Sequence, residues 1–289
     1  MAATNWQYID RVVKNALEED LGKGDVTTDL LIPEAIRGSA FMLVKEEGVI
    51  AGLEVASRVF YQVDPALKIE ILWKEGNGVR PGDVVMRIAG KTADILKGER
   101  VALNFLQRLS GIASTTAQYV AAVRGLGVEI ADTRKTTPGL RLLEKQAVKL
   151  GGGRNHRIDL SSAVLIKDNH FAALRSQGLS YRDIVEKALR GAPEGMKVEA
   201  EATTLEEVEE AVTAGAHIIM LDNMPVEDMS QAVELIDGRA EVEASGGITL
   251  KNVRSVAESG VDFISVGALT HSFKALDISL EYEHAEGKN

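Results

Sequence analysis

From residue 128 onward, the sequence repeats one pattern, in which a short apolar run is followed by an amphipathic stretch with a 3.6-residue period. The apolar runs are VEIAD, AVLIK, KVEAEA, HIIMLD, EVEAS and DFISVG. Several of the stretches between them end at glycine, which is typical of a helix C-terminus. Apolar strands that alternate with helices predict a parallel sheet. Because no Gly-x-Gly-x-x-Gly follows the first strand, the pattern favours an α/β fold of the (β/α) barrel type over a doubly wound sheet.

The first third of the chain follows a different pattern. The runs FMLVKEEGVIAG, KIEILWKEGNGV and DVVMRIAG alternate apolar and polar residues and contain glycines, as antiparallel strands do. Helical spacing appears in WQYIDRVVKNALEED and LEVASRVFYQV. Between these elements, GKGDVTTDLL is interpreted as a polar loop capped by Asp25 and Asp29. This region is therefore expected to form a small, open α+β sandwich domain.

A long helical stretch, residues 92–125, joins the two regions and is expected to break near Gly111 as a hinge. We predict an N-terminal domain over residues 1–112 and an α/β barrel domain over residues 113–271. The C-terminal segment 272–289 is expected to pack back on the first domain.

The bulk composition excludes several classes of protein. The 289 residues are 45% hydrophobic and 26% charged, which is ordinary for a soluble globular protein. The chain contains no cysteine, so disulfides and thiolate chemistry are excluded. No membrane-spanning apolar run and no secretory signal are recognisable, and a cytoplasmic enzyme is expected. The net charge of −10 argues against a nucleic-acid or anionic-membrane surface.

The cations, however, are concentrated in one segment. Residues 134–157 contain seven Lys or Arg and a single acid, Glu144. No aromatic residue lies among these cations, so a stacking surface for nucleic acid is not expected. Arg134 and Lys135 follow the first barrel strand, and Arg154, His156 and Arg157 follow in a glycine-rich loop. Such a density of guanidinium groups predicts a pocket for a small polyanion.

The ends of the other predicted strands are also polar. Lys167 follows the apolar run AVLI, and Asp222 closes the run IIML. Side chains two apart on a strand share a face, so Glu199 and Glu201 point the same way, whereas Val198, Ala200 and Ala202 face the helices. Carboxylates that converge at a barrel mouth suit Mg²⁺ or sugar hydroxyls, although each could instead pair with a neighbouring lysine.

Glycine turns follow the last two strands. They are Ser245-Gly246-Gly247 and Gly267-Ala268. Loops at this place in a barrel commonly bind phosphate through backbone N–H groups, and glycine allows the close approach. A phosphate site is therefore predicted here, with an ordinary turn as the alternative.

Taken in order, the motifs DTRKTTPGLR, GGGRNHRIDL, LIKDNH, VEAEATTLEE, LDN and EASGGITLKNV resemble those of the quinolinate phosphoribosyltransferase family. The similarity extends upstream to EDLGKGDVTTDLL and GERVALNFLQRLSGIAS. It implies an open α/β N-terminal domain and an incomplete TIM-like barrel. It also implies transfer of phosphoribosyl from phosphoribosyl pyrophosphate to quinolinate with Mg²⁺, giving nicotinate mononucleotide, pyrophosphate and CO₂ in NAD biosynthesis.

The resemblance also implies roles for single residues. Arg134, His156 and Arg157 would hold the quinolinate carboxylates, with Arg100 supplied by the partner subunit of a homodimer or a higher oligomer. Lys135 and Lys167 would contact substrate and phosphate charges. Glu201 and Asp222 would serve the ribose hydroxyls and the metal, a role that the motif assigns to Glu201, the second glutamate of the pair that it forms with Glu199. The 5′-phosphate would be cradled by Ser245, Gly246, Gly247, Gly267 and Ala268.

Three alternatives remain open. One is a phosphoribosyltransferase for another ring acid such as nicotinate, which has one carboxylate and would not need the full cationic set. A second is a barrel aldolase with Lys167 as a Schiff-base lysine. The third is a regulator that binds a phosphoribosyl compound without turnover.

Overall fold

The computed structural model describes residues 5–283 of the chain. Contacts divide the chain into two compact units. The first comprises the residues up to 115, residues 138–151 and the residues from 273 on, and the second comprises residues 116–137 and 152–272. Residues 1–4, and the last six residues of the predicted C-terminal segment 272–289, lie outside the described residues.

In chain order, the first nine elements are α1 (Trp6–Leu21), α2 (Val26–Leu31), β1 (Arg37–Val44), β2 (Gly48–Val49), α3 (Leu53–Val63), β3 (Lys68–Ile71), β4 (Gly78–Val79), β5 (Val84–Lys91) and α4 (Thr92–Ala122). They are followed by β6 (Glu129–Ala131), α5 (Arg141–Leu150), β7 (Val164–Ile166), α6 (Asp168–Arg175), α7 (Tyr181–Gly191), β8 (Val198–Ala202), α8 (Leu205–Ala214) and β9 (Ile218–Asp222). The last are α9 (Val226–Ile236), β10 (Glu241–Ser245), α10 (Val253–Glu258), β11 (Phe263–Ser265), α11 (Ala268–His271) and β12 (Ile278–Tyr282).

The first unit is built on an antiparallel sheet with the strand order β12-β1-β5-β3. Strand β1 alternates as the sequence predicts, and Ala40, Met42 and Val44 are buried. A second pairing joins β2 to β4. The antiparallel strands and the helix at 53–63 are confirmed, and the C-terminal strand β12 pairs with β1.

The predicted break near Gly111 is wrong, because α4 runs from Thr92 to Ala122 without interruption. The glycine is present for close packing instead. A Cβ atom at position 111 would lie 2.8 Å from the Cα of Ala275 and closer still to the carbonyl oxygen of Lys274. The residue therefore marks a place where another chain segment crosses the helix.

The polar loop predicted at GKGDVTTDLL is also wrong in part, because Val26–Leu31 forms the short helix α2. Asp25 is its N-cap, and its carboxylate accepts a hydrogen bond from the Thr28 N–H at 3.0 Å. Asp29 lies inside the helix and pairs with Lys97 at 2.8 Å. Asp25 therefore caps a helix, and Asp29 is not a loop cap.

The second unit contains six parallel strands in the order β6-β11-β10-β9-β8-β7. The strands follow one another as in a TIM barrel, but β6 and β7 do not pair. The backbone of Arg154 lies along the edge of β6 that faces away from β11. Its N–H donates to Ile130 O at 2.8 Å, and its carbonyl oxygen accepts from Asp132 N at 3.2 Å. The fold is the predicted incomplete TIM-like barrel.

One face of the parallel strands forms the barrel interior. Ala131, Ile218 and Phe263 form a small buried apolar cluster there. The Arg154 guanidinium lies 4.2 Å from the centroid of the Phe263 ring and pairs with Glu129 at 2.7 Å and Glu241 at 3.0 Å. Among residues 5–283, no helix combines the length and the apolar character needed to cross a membrane.

Candidate active site

The strand register brings the predicted acidic and basic side chains to the carboxyl ends of neighbouring strands. Asp222 lies opposite Ser245, and Glu201 lies opposite Met220, two residues before Asp222 on β9. Lys167 comes directly after β7, whose last residue pairs with Ala200. Because parallel strands end at one edge, these side chains share a single mouth.

Lys167, Glu201 and Asp222 form a charged group at this mouth. The Lys167 Nζ lies 3.3 Å from Glu201 Oε2. Burial raises the pKa of Glu201, the Lys167 ammonium opposes that shift, and the negative charge of Asp222 adds to it. Because the two carboxylates repel each other, a cation bound between them is stabilised.

Arg134 and Arg157 lie close enough to repel each other. Burial lowers the pKa of Arg157, the Arg134 guanidinium lowers it further, and Glu199 opposes both effects. The Arg157 Nη1 donates to Ala163 O at 3.2 Å. In the part of the chain that the structure describes, the buried Nε of Arg134 has no hydrogen-bond partner. A buried donor without a hydrogen-bond partner costs free energy, so an anion that accepts from Arg134 would stabilise this arrangement.

Asp132 holds the glycine-rich loop against the end of β6. Its side chain is fully buried. The carboxylate accepts hydrogen bonds from Asn155 Nδ2 at 2.6 Å and from the backbone N–H of His156 at 2.8 Å. The loop that carries Arg157 is thereby fixed next to the strand that leads to Arg134.

His156 points into the barrel interior, towards two glutamates. Its Nε2 lies 3.1 Å from Glu243 Oε2 and 3.3 Å from Glu199 Oε2. Glu199 and Glu243 are both buried. Sequence reasoning missed Glu243, although the alternation in EVEAS is the same as that in VEAEA and could have identified it.

The turn after β10 has the backbone that a glycine pair permits. Gly246 and Gly247 have φ values of 91° and 62°. Asn223, with φ 54°, donates its backbone N–H to Ser245 O at 2.8 Å and its side-chain amide to Asp222 Oδ2 at 3.0 Å. The turn and the carboxylate of Asp222 are therefore connected through Asn223, another residue without a predicted role.

At the turn after β11, Gly267 lies between two basic side chains. A Cβ atom at this position would lie 3.0 Å from both Lys135 Cδ and His271 Nε2. The carbonyl oxygen of Lys135 accepts from Thr270 Oγ1 at 2.8 Å, and Ala268 begins α11. Lys135 is thus brought to the predicted phosphate turn, together with His271, which sequence reasoning missed.

Arg100 lies on α4 in the first unit, where its side chain is exposed. Its contribution to a shared site stays a prediction. The helix that carries Arg141, Lys145 and Lys149 also belongs to the first unit. The cations of residues 134–157 are therefore divided between the two units.

The barrel, with paired guanidinium groups, carboxylates and glycine turns at its strand ends, defines an enzyme that acts on small anionic substrates. Two family models match the sequence, namely the quinolinate phosphoribosyl transferase N-terminal domain over residues 25–110 and its C-terminal domain over residues 112–281. The chain belongs to the quinolinate phosphoribosyltransferase family.

Individual relatives agree with this assignment. A protein of Synechocystis named probable nicotinate-nucleotide pyrophosphorylase [carboxylating] is 44% identical over 96% of this chain and 93% of its own. The chloroplastic nicotinate-nucleotide pyrophosphorylase [carboxylating] of Arabidopsis thaliana is 46% identical over 94% of this chain and 82% of its own. The crystal structure of NadC from Streptococcus pyogenes superposes with a TM-score of 0.90, at 43% identity, and covers 98% of this chain and 100% of its own.

Proposed function

We propose that this chain transfers the phosphoribosyl group from phosphoribosyl pyrophosphate to quinolinate and decarboxylates the product. The products would be nicotinate mononucleotide, pyrophosphate and CO₂, in the biosynthesis of NAD. The family assignment and the names of the relatives support this reaction. The site itself supports a dicarboxylate acceptor.

The observation that carries the proposal is the buried Nε of Arg134, which has no hydrogen-bond partner among residues 5–283, beside the guanidinium of Arg157. Two guanidinium groups that repel each other are stabilised when carboxylates lie between them. Quinolinate carries two adjacent carboxylates, whereas nicotinate carries only one. The pair of arginines therefore favours the dicarboxylate.

The other half of the site suits the phosphoribosyl donor. Gly246 and Gly247 leave the backbone of their turn open to an anion, and Lys135 reaches the turn at Gly267. We assign the 5′-phosphate to Ser245, Gly246, Gly247, Gly267 and Ala268. Lys135 and Lys167 would then neutralise charge between the acceptor and the donor.

Glu201 and Asp222 fit a Mg²⁺ ion or its bound waters. Their negative charges repel each other, and a cation would relieve that repulsion. When bound, the ion would neutralise charge on the pyrophosphate leaving group. The same carboxylates can orient the ribose hydroxyls. The pairing of Lys167 with Glu201 gives no support to a Schiff-base lysine, which requires an uncharged amine.

In the transfer step, the lone pair of the pyridine nitrogen forms a bond to the ribose C1. The bond from C1 to the pyrophosphate oxygen breaks, and its electron pair leaves with pyrophosphate. Lys135 and Lys167 stabilise the departing negative charge. The residues act mainly by holding the two anionic reactants at bonding distance.

In the decarboxylation step, the carboxylate next to the ring nitrogen leaves as CO₂. Its bonding electron pair stays on the ring carbon, where the positive pyridinium nitrogen stabilises it, and that carbon then takes up a proton. Arg134 and Arg157 keep the ring in place through both steps.

The assembly and the compartment are part of the same proposal. We assign a homodimer in which Arg100 of one subunit completes the carboxylate site of the other, with a higher oligomer compatible with that arrangement. The chain lacks cysteine, which suits the reducing cytoplasm. Quinolinate and phosphoribosyl pyrophosphate are the proposed partners, and nucleic acid and membranes are not.

The test incubates the protein with phosphoribosyl pyrophosphate, Mg²⁺ and either quinolinate or nicotinate. We expect CO₂ release and mononucleotide formation with quinolinate only. Arg134→Ala should abolish quinolinate binding in calorimetry while the fold survives. Arg124→Ala, which changes an exposed arginine outside the site, is the matched control. Turnover of nicotinate with none of quinolinate would contradict the proposal.

A further inference from the structure

Both ring nitrogens of His156 are already engaged by the protein. Nδ1 accepts a hydrogen bond from the backbone N–H of Arg157 at 2.8 Å. Nε2 lies 3.1 Å from Glu243 Oε2 and 3.3 Å from Glu199 Oε2. In this arrangement the ring has no nitrogen to offer to a substrate carboxylate.

The hydrogen bond at Nδ1 shows where the ring proton lies. A nitrogen that accepts from an N–H cannot carry a proton of its own, so the proton is on Nε2 and points at the two glutamates. A metal ion would need the lone pair of Nε2, which this tautomer does not provide. His156, Glu199 and Glu243 therefore form a hydrogen-bonded group around the Nε2 proton, although their spacing would also suit a cation.

The carboxylates of Glu199 and Glu243 lie close together, and both are within reach of Nε2 of His156. Burial and the nearby carboxylate of Glu199 raise the pKa of Glu243 to about 7, although the hydrogen bond with His156 opposes that shift. Glu199 Oε1 and Glu243 Oε1 are buried and have no hydrogen-bond partner among residues 5–283.

We propose that Glu243 is a positioning residue of the dicarboxylate site, which orients the ring of His156 so that Nδ1 fixes the backbone of Arg157. The role of Arg157 towards the ring acid rests on the proposed function. The orientation of His156 does not, because it follows from the contacts alone.

The position of Arg157 needs such support. Its guanidinium faces the like charge of Arg134, which pushes the two side chains apart when no anion lies between them. Two contacts oppose that displacement, namely the bond from Arg157 N to His156 Nδ1 and the bond from Arg157 Nη1 to Ala163 O. Glu243 acts on the first of these, because it determines which ring nitrogen carries the proton.

Glu243 is the better candidate of the two glutamates for this role. Its side chain has no exposed surface, and its oxygen is the nearer one to Nε2. It follows the same inward alternation on β10 that Glu199 follows on β8. Glu199, in addition, opposes the shift in the pKa of Arg157 directly, so its removal would mix two effects.

The test compares Glu243→Leu with Glu243→Gln. The glutamine keeps an oxygen that can accept from Nε2, whereas the leucine keeps only the approximate volume. We expect Glu243→Leu to raise the KM for quinolinate roughly tenfold or more, as misplacement of a binding group does. The KM for phosphoribosyl pyrophosphate should stay unchanged, and Glu243→Gln should restore the KM for quinolinate.

Two measurements on the protein without substrate separate this inference from the proposed function. Nitrogen-15 NMR of His156 should show a protonated Nε2 and an unprotonated Nδ1 in the wild type. The Arg157 amide should exchange with solvent roughly tenfold faster in Glu243→Leu than in Glu243→Gln, because it loses its acceptor. Absence of quinolinate turnover in the wild type, with these two results intact, would overturn only the proposed function.

Three outcomes would overturn the positioning role. They are a protonated Nδ1 in the wild type, equal exchange of the Arg157 amide in the two variants, and an equal rise of both KM values. If Glu243→Leu does not fold, His156→Leu replaces it in the test, because it removes the Nδ1 atom that accepts from the Arg157 amide. Arg157 amide exchange as slow as in the wild type would then overturn the inference.

Discussion

The side chain of Asn223 lies directly against the Cα of Gly246. A Cβ atom at position 246 would be 2.6 Å from Asn223 Nδ2 and closer still to Oδ1. Both residues have positive φ, 54° and 91°, which suits glycine and is tolerated by asparagine. The turn assigned to the 5′-phosphate is therefore packed against the residue that also holds Asp222.

We predict that Gly246→Ala destabilises the protein more than Gly247→Ala does. Both variants have unfavourable positive φ, at a cost of about 1–2 kcal/mol. Only Gly246→Ala meets Asn223, which adds about 1–3 kcal/mol of overpacking, since the nearest atom to a Cβ at 247 is 3.9 Å away. Urea unfolding measures the free energy of unfolding of both variants. Adding Asn223→Gly to Gly246→Ala should recover part of the loss. Equal losses in the two variants would contradict this explanation.

Gly111→Ala should reverse the usual effect of alanine in a helix. Replacing a glycine inside a helix normally stabilises by about 1 kcal/mol. Here the new methyl group would press on the backbone at Lys274 and Ala275, so we expect a net loss of about 1–3 kcal/mol in the free energy of unfolding. Gly191→Ala on α7 is the control, because no atom lies within 4 Å of its Cβ position. A stabilised Gly111→Ala protein would show that the crossing segment moves freely away.

The stability that Glu243 contributes to the protein should be lost as the pH rises from about 4.5 to about 7. Burial raises the pKa of Glu243 to about 7. A pKa raised by folding gives stability that is complete below the unfolded value and is lost as pH rises through the folded value. Thermal melting from pH 4 to 8 measures the loss.

Glu243→Gln provides the control for this pH dependence. The variant has no carboxyl to deprotonate at position 243, so its melting temperature should fall less than that of the wild type over the same range. Ionisable groups that do not contact Glu243 titrate alike in both proteins and cancel in the comparison. Parallel curves for the two proteins would show that the buried group does not gain its proton on folding.

A mixture of Arg100→Ala and Arg157→Ala subunits should regain activity if the sites are shared across a dimer. Half of the dimers in an equal mixture are hybrids, and each hybrid has one intact site, so we expect about a quarter of the wild-type activity. Arg134→Ala mixed with Arg157→Ala is the control, because both changes fall in the same subunit's part of the site. No recovery in the first mixture, or equal recovery in both, would count against shared sites.

Periodicity in the sequence was sufficient to predict the six parallel strands, and with them the meeting of Lys167, Glu201 and Asp222 at one mouth. The parity of VEAEA also predicted that Glu199 lies on the inner face. The partner of Glu199, however, depends on the packing of β10 and of the loop that carries His156, which lie far apart in sequence. The alternation in EVEAS indicates that Glu243 faces inward, but contacts between distant segments have no local pattern, so its contact with His156 could not be predicted.

The two errors in the fold have different origins. Glycine breaks a helix by intrinsic propensity, but at Gly111 the crossing of residues 274–275 decides, and the helix continues. The helix α2 depends on one side-chain cap, Asp25, in a stretch with few apolar residues. The roles of the single substrate-binding residues stay predictions that the variants above test.

The pairing of β12 with β1 has a consequence for how the protein is made. The first unit is assembled from three separate parts of the chain, whereas the second is complete once residue 272 has been synthesised. During synthesis, strand β1 therefore emerges long before one of its partners, β12, because the paired residues Ala40 and Tyr282 are 242 positions apart in sequence. During translation, the catalytic barrel can be finished before the unit that precedes it in sequence.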